Sequence, residues 1–168
     1  MKRKDPILSH LSAFSFTYKP LRVSGLKWRR VMPVNWTIDL ATGSEEIDNQ
    51  HKELFLRMNR FLEACRDERG IAEAGNMLKF LDDYVVFHFS EEERAMTVQN
   101  YPDLDLHRSE HVQFARHLVE LKEDLSRQKH GIGLILKVNR LVFDWMTNHI
   151  RVSDKALGSF LKSKACAS

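Results

Sequence analysis

The stretch VVFHFSEEERAM, Val85–Met96, decides how the whole chain is read. With Ala74, Met77 and Leu81 before it, the residues Val85, His88, Glu92 and Ala95 recur at steps of three and four, the spacing of one helical face. That face is otherwise apolar, so a helix that buries it also buries an imidazole and a carboxylate. An unpaired charge in such a place costs several kcal/mol, a large share of the roughly 5–15 kcal/mol that stabilises a domain. Something must compensate for it.

Three other segments repeat the pattern. One carries Ile47, His51, Leu54, Met58, Phe61 and Cys65, follows Thr42-Gly43-Ser44-Glu45, which can supply a capping box, and stops near Gly70. The segment around His88 must end before Tyr101-Pro102, because the residue preceding a proline avoids helical geometry. A third begins after Pro102 with His107, His111, Phe114, Leu118, Leu121 and Leu125, and a fourth follows Gly131-Ile132-Gly133 with Ile135, Val138, Val142, Trp145 and His149. Four helical stripes joined by short connections predict an all-α, antiparallel, up-down-up-down four-helix bundle. Residues before Ser44 form an arm, and 155–168 a frayed tail.

Every stripe holds a metal-donor side chain, so the fold that buries the stripes gathers those donors. His88 and Glu92 are four residues apart, as are His107 and His111, and each pair projects from one helical face. His51 and His149 bring one donor each from the other two helices. Asp154 is a seventh candidate, but it lies five residues after His149, a step of about 500° in a regular helix and so about 140° off the face. Convergence therefore requires a local irregularity between His149 and Asp154, such as a π-type turn.

Five imidazoles and two carboxylates are too many donors for a tetrahedral zinc site. If both carboxylates bridge two metals and a solvent-derived bridge joins them, the pair lacks one donor of the twelve that two six-coordinate ions need. Mixed imidazole and carboxylate ligation with an open position points to iron rather than calcium or magnesium, with manganese and zinc left open by ligand softness alone.

The motifs Ile47-Asp48-Asn49-Gln50-His51-Lys52, His88-Phe89-Ser90-Glu91-Glu92, Tyr101-Pro102-Asp103 before His107 and His111, and Trp145–Asp154 around His149 carry a resemblance. From about Met32 to Leu161 the chain resembles the bacterial hemerythrins, the oxygen-binding non-haem di-iron family, and all seven of that family's ligand positions hold the expected residue type. The resemblance implies two irons per chain with an oxo or hydroxo bridge. His107, His111 and His149 would hold one and His51 and His88 the other, with Glu92 and Asp154 shared. It further implies reversible binding of dioxygen on the two-histidine side, inside an apolar pocket that Trp145 and Met146 could line. Met146 departs from the family, which usually has leucine three residues before this histidine. No glutamate stands three residues before any histidine here, which leans against the ferritin-like oxidases. The alternatives are a di-iron scavenger or oxidase acting on peroxide, nitric oxide or ferrous iron, and an oxygen- or iron-sensing bundle.

Composition bounds the rest. The 168 residues, 43% of them hydrophobic, suit one domain, expected over 32–168. Residues 1–31 hold eight basic residues and one acid of the chain's 26 and 23, leaving 18 basic and 22 acidic residues in the main body. That acidic balance argues against a nucleic-acid surface there. The basic segment 1–31 reads as a disordered extension, either a flexible arm or sequence upstream of a start at Met32, ahead of a targeting role. Cys65 and Cys166 make no CxxC or spaced framework, so a reducing compartment and a cytoplasmic monomer are expected, without a membrane span. His10, His117 and His130 fall outside the donor set. Glu91 and Glu93 are expected to face solvent, and Asp48 and Gln50 either orient imidazoles or supply first-turn charge.

Overall fold

A computed structural model describes residues 33–66, 69–127 and 131–166. The expected extension 1–31 lies outside the described residues, as do His10 and His130. Helix α1 spans Glu45–Arg66, α2 Gly70–Gln99, α3 Leu104–Ser126 and α4 Ile132–Asp144; α4 runs on through a π-helical segment, Trp145–Asp154, into α5, Lys155–Ala165. A 3-10 turn, Ile38–Leu40, precedes α1. No strand occurs among the described residues. Connections as short as residues 100–103 force each helix to return beside the last, and α1 packs on α2, α2 on α3 and α4, and α3 on α4. This is the four-helix bundle the stripes predict.

The helix ends follow local chemistry. The Ile47 amide of α1 donates to Ser44 Oγ at 3.4 Å, but the position that would complete a capping box is Ile47 itself. Asp48 supplies the acceptor instead: its carboxylate takes the Thr42 amide at 2.7 Å and the Thr42 hydroxyl at 2.9 Å. At the other end of the bundle α2 stops where Asn100 turns left-handed (φ 52°) and its amide returns to the carbonyls of Met96 and Thr97. Asparagine tolerates that conformation, and Tyr101-Pro102 then starts the chain towards α3.

Along α2 the buried residues run Met77, Leu78, Leu81, Tyr84, His88, Phe89, Glu92, Met96, so the polar pair sits between apolar layers. On one side lies the main core, which includes Leu54, Phe61, Leu81, Phe114, Val138 and Met146. On the other lies a smaller cluster of Met96, Tyr101 and Leu157. In α4 it is Leu134, not Ile135, that is fully buried with Val138 and Val142.

The expectation of a frayed tail over 155–168 is corrected here. Residues 155–165 are helical, Leu157 is fully buried against Met96 and Tyr101, and Gly158 lies so close to the segment preceding α1 that a Cβ would collide with the Thr42 backbone. Only glycine permits that contact, and through it α5 clamps the end of the π segment to the beginning of α1.

Candidate metal centre

The seven expected donors meet at one place. His51 comes from α1, His88 and Glu92 from α2, His107 and His111 from α3, and His149 and Asp154 from the π segment, and every one of them is at most 3% exposed. They fall into two overlapping groups whose ligand atoms lie within 4.8 Å of one another: Glu92 with His107, His111 and His149, and His51 and His88 with Glu92 and Asp154. Asp154 reaches both groups, with Oδ1 at 2.8 Å from His149 Nε2 and 3.3 Å from His107 Nε2, and Oδ2 at 3.0 Å from His51 Nε2. Glu92 Oε2 stands 3.2 Å from His111 Nε2, 3.3 Å from His107 Nε2 and 3.5 Å from His88 Nε2.

The irregularity expected between His149 and Asp154 is a π-helical run of ten residues, Trp145–Asp154. A π turn closes hydrogen bonds from i to i+5, so residues five apart return to one face. That is why His149 and Asp154, which a regular helix would point apart, are 2.8 Å from each other.

Short distance is not satisfaction. Both oxygens of Asp154, Glu92 Oε1, His111 Nε2 and His149 Nε2 are buried without an aligned hydrogen-bond partner. Orphaned polar atoms of this number are rare in a folded interior. A pair of cations facing them would satisfy all of these atoms together, and neutral imidazoles with carboxylates are donors suited to iron. The residues present fit a di-metal centre.

The electrostatics of the metal-free cluster are correspondingly tense. Burial pushes His88 down to about 4, against the pull of Glu92. Burial also disfavours the charged form of His107, yet the nearby Asp154 and Glu92 carboxylates lift it to about 10. For Glu92, burial and the adjacent Asp154 charge oppose ionisation, but His88, His107 and His111 overcome them and hold the carboxyl at about 2. Asp154 is likewise held well below the usual carboxylate range, despite its burial, chiefly by the charge of His149 and by the close approach of the His107 and His149 imidazoles.

Around the donors stands a ring of partners that the sequence only partly announces. His88 Nδ1 is 2.8 Å from Gln50 Oε1, His111 Nδ1 is 3.0 Å from Glu93 Oε1, and His149 Nδ1 is 2.6 Å from Glu110 Oε2. Each leaves Nε2 free to face the centre. Gln50 thus orients an imidazole, whereas Asp48 caps the chain before α1. The expectation that Glu93 faces solvent is corrected: it is half-buried, spanning His111 and Arg108 Nε, because one step beyond Glu92 turns it to the α3 side. The sequence alone gives Glu110 no role. Its only signal is adjacency to His111, and it is fixed by Ser153 Oγ, 2.7 Å away, across the helix pair.

Aromatic rings close the centre off. Trp145 stacks on His149 at 3.6 Å between centroids and Phe89 on His111 at 3.8 Å, while Tyr84 stacks on His88 at 4.3 Å. Met146 is buried in the same core. His117 is half-buried and belongs to neither donor group.

A family model, the hemerythrin HHE cation binding domain, matches residues 42–161, the span that contains all seven donors. The chain belongs to the hemerythrin family. Among its relatives is a bacteriohemerythrin of Methylococcus capsulatus, 32% identical over 133 residues, 77% of this chain and 98% of the relative. A hemerythrin-like protein of Naegleria gruberi is 32% identical over 122 residues, 73% of this chain and 88% of the relative. A bacteriohemerythrin of Stenotrophomonas maltophilia is 27% identical over 128 residues, 76% of this chain and 81% of the relative. The hemerythrin domain binds a di-iron centre, and the clusters of this chain supply the donors for one. No helix among the described residues is long and apolar enough to cross a membrane.

Proposed function

We propose that this hemerythrin-family chain binds dioxygen reversibly, as a store, carrier or buffer, at a di-iron centre. His107, His111 and His149 would hold one iron and His51 and His88 the other, with Glu92 and Asp154 shared between them. The observation that carries the reading is the donor inventory: five imidazoles and two carboxylates, all buried within an apolar shell, would with a solvent-derived bridge leave two six-coordinate ions one position short. When bound, two ferrous ions supply the electrons that a reversible dioxygen carrier lends and takes back. The remaining work belongs to side chains. Glu92 and Asp154 offset the cationic charge, Gln50, Glu93 and Glu110 set the orientation of three imidazoles, and Phe89, Phe114 and Trp145 exclude the water that would shorten the life of the oxygenated form.

We take residues 32–168 as one domain acting as a cytoplasmic monomer. Two free cysteines, Cys65 buried and Cys166 exposed, suit a reducing compartment. Light scattering of the purified chain tests the monomer, and two subunits in solution would refute it.

The test of function is to load the protein with ferrous iron without air, count iron per chain, then admit oxygen and follow the visible spectrum through argon flushing. A colour that fades under argon and returns in oxygen supports the carrier. A colour that forms once and decays to a ferric state supports the second reading, a scavenger or oxidase of peroxide, nitric oxide or ferrous iron. Met146 favours that second reading, because a buried but flexible and oxidisable side chain stands three residues before His149. Met146→Leu should then lengthen the life of the coloured form.

A further inference from the structure

The two halves of the centre share their carboxylates but not their surroundings. Glu92 and Asp154 reach both halves, so they cancel when the halves are compared. What differs is the number of imidazoles and what stands behind each. On the three-histidine side, His111 is backed by Glu93 and His149 by Glu110. Both carboxylates are themselves anchored, Glu93 by Arg108 Nε at 2.9 Å and Glu110 by Ser153 Oγ at 2.7 Å. On the two-histidine side, His88 is backed by the neutral amide of Gln50. Each half also holds one imidazole whose Nδ1 is buried without a partner, His107 on the first side and His51 on the second, so those two cancel.

A carboxylate that accepts the Nδ1–H fixes the tautomer and pushes electron density to Nε2, making a stronger donor; an amide fixes the tautomer with less polarisation. A third imidazole adds a further bond. We propose that the two half-sites fill in order, the His107–His111–His149 half first, with Glu93 and Glu110 as the positioning residues that set the order. This rests on the di-metal reading above. The chain would therefore hold a defined one-metal state, and a second, different metal could be placed in the remaining half.

The experiment titrates the metal-free protein with cobalt(II) in the absence of air. Cobalt accepts imidazole and carboxylate ligands, and its visible bands report coordination. Calorimetry and the bands should resolve two steps in the wild type, the first at least about tenfold tighter. Glu110→Gln keeps the size and an acceptor but removes the charge, and should weaken the first step by about ten- to a hundredfold while leaving the second within about twofold. Gln50→Glu should tighten the second step alone, a gain that a purely structural role for these residues would not produce. One indistinguishable step in the wild type, or equal weakening of both steps in Glu110→Gln with helical content intact, overturns the order. A wild type that takes up two cobalt ions without order refutes this inference but leaves the di-metal reading standing; one that binds none refutes both.

Discussion

Two stretches of this molecule solve one problem by different backbones. In α2, His88 and Glu92 are four apart in a regular helix and share a face at no conformational cost, with Nε2 and Oε2 3.5 Å apart. In the π segment, His149 and Asp154 are five apart and share a face only because the helix is underwound over ten residues, with Nε2 and Oδ1 2.8 Å apart. Spacing alone therefore does not decide convergence; the hydrogen-bond register does. The surroundings differ too. His88, backed by an amide, is pushed down by burial, whereas His149 is raised, since Asp154 and Glu110 outweigh the burial that opposes its charge.

The largest expected effect comes from removing the shared oxygens of either pair. Asp154→Ala and Glu92→Ala should each reduce iron from two per chain to one or fewer by metal analysis, and His117→Ala, outside both donor groups, should keep two. Loss of iron in the His117 variant would show that the donor set is wrong. Next comes the clamp that ends the π segment. Gly158→Ala forces a Cβ into the Thr42 backbone and should cost about 1–3 kcal/mol, read as a fall of several degrees in melting temperature, with iron content reduced if α5 helps hold Asp154 in place.

A smaller effect is expected from pH on the metal-free chain. His88, lowered from 6.5 to about 4 by burial, withdraws stability as pH falls below about 6.5, and Glu92, held at about 2 against its burial by His88 and its hydrogen-bonded imidazoles, withdraws more below about 4.5. His107, raised from 6.5 to about 10 by its carboxylate partners against its burial, withdraws stability as pH rises above about 6.5. Chemical denaturation of the metal-free protein should thus show maximal stability at about pH 6.5, and a monotonic profile from pH 4 to 9 would contradict these assignments. The smallest effect sharpens the comparison most. Deleting the exposed Val152 puts His149 and Asp154 four apart, as in α2; if the π register serves only to correct the spacing, two irons per chain should remain. Their loss would mean that the π segment also positions something else, with the Ser153 contact to Glu110 as the first suspect.

Much of the centre was legible because its donors lie at helical spacing inside apolar stripes. His51, His88, Glu92, His107, His111 and His149 could be placed on core faces from periodicity, and the five-residue step to Asp154 announced its own irregularity. Glu93 and Glu110 were not legible. Each is an ordinary charged neighbour of a donor, and only the facing helix determines whether such a carboxylate meets water or an imidazole. The tail was misread for a similar reason: Lys155, Lys162, Lys164 and two serines dilute the signal of Leu157 and Gly158, whose burial depends on Met96 and Thr42, distant in sequence.

What the sequence determined by itself is the local pattern: four amphipathic helices, the breaks between them, and which faces carry donors, because helical periodicity follows from backbone geometry. What only the tertiary structure decided is the partition of those donors into two overlapping groups, the carboxylate or amide behind each imidazole, and the docking of α5. Those depend on rotation and translation between helices, and such degrees of freedom are settled by packing whole faces together.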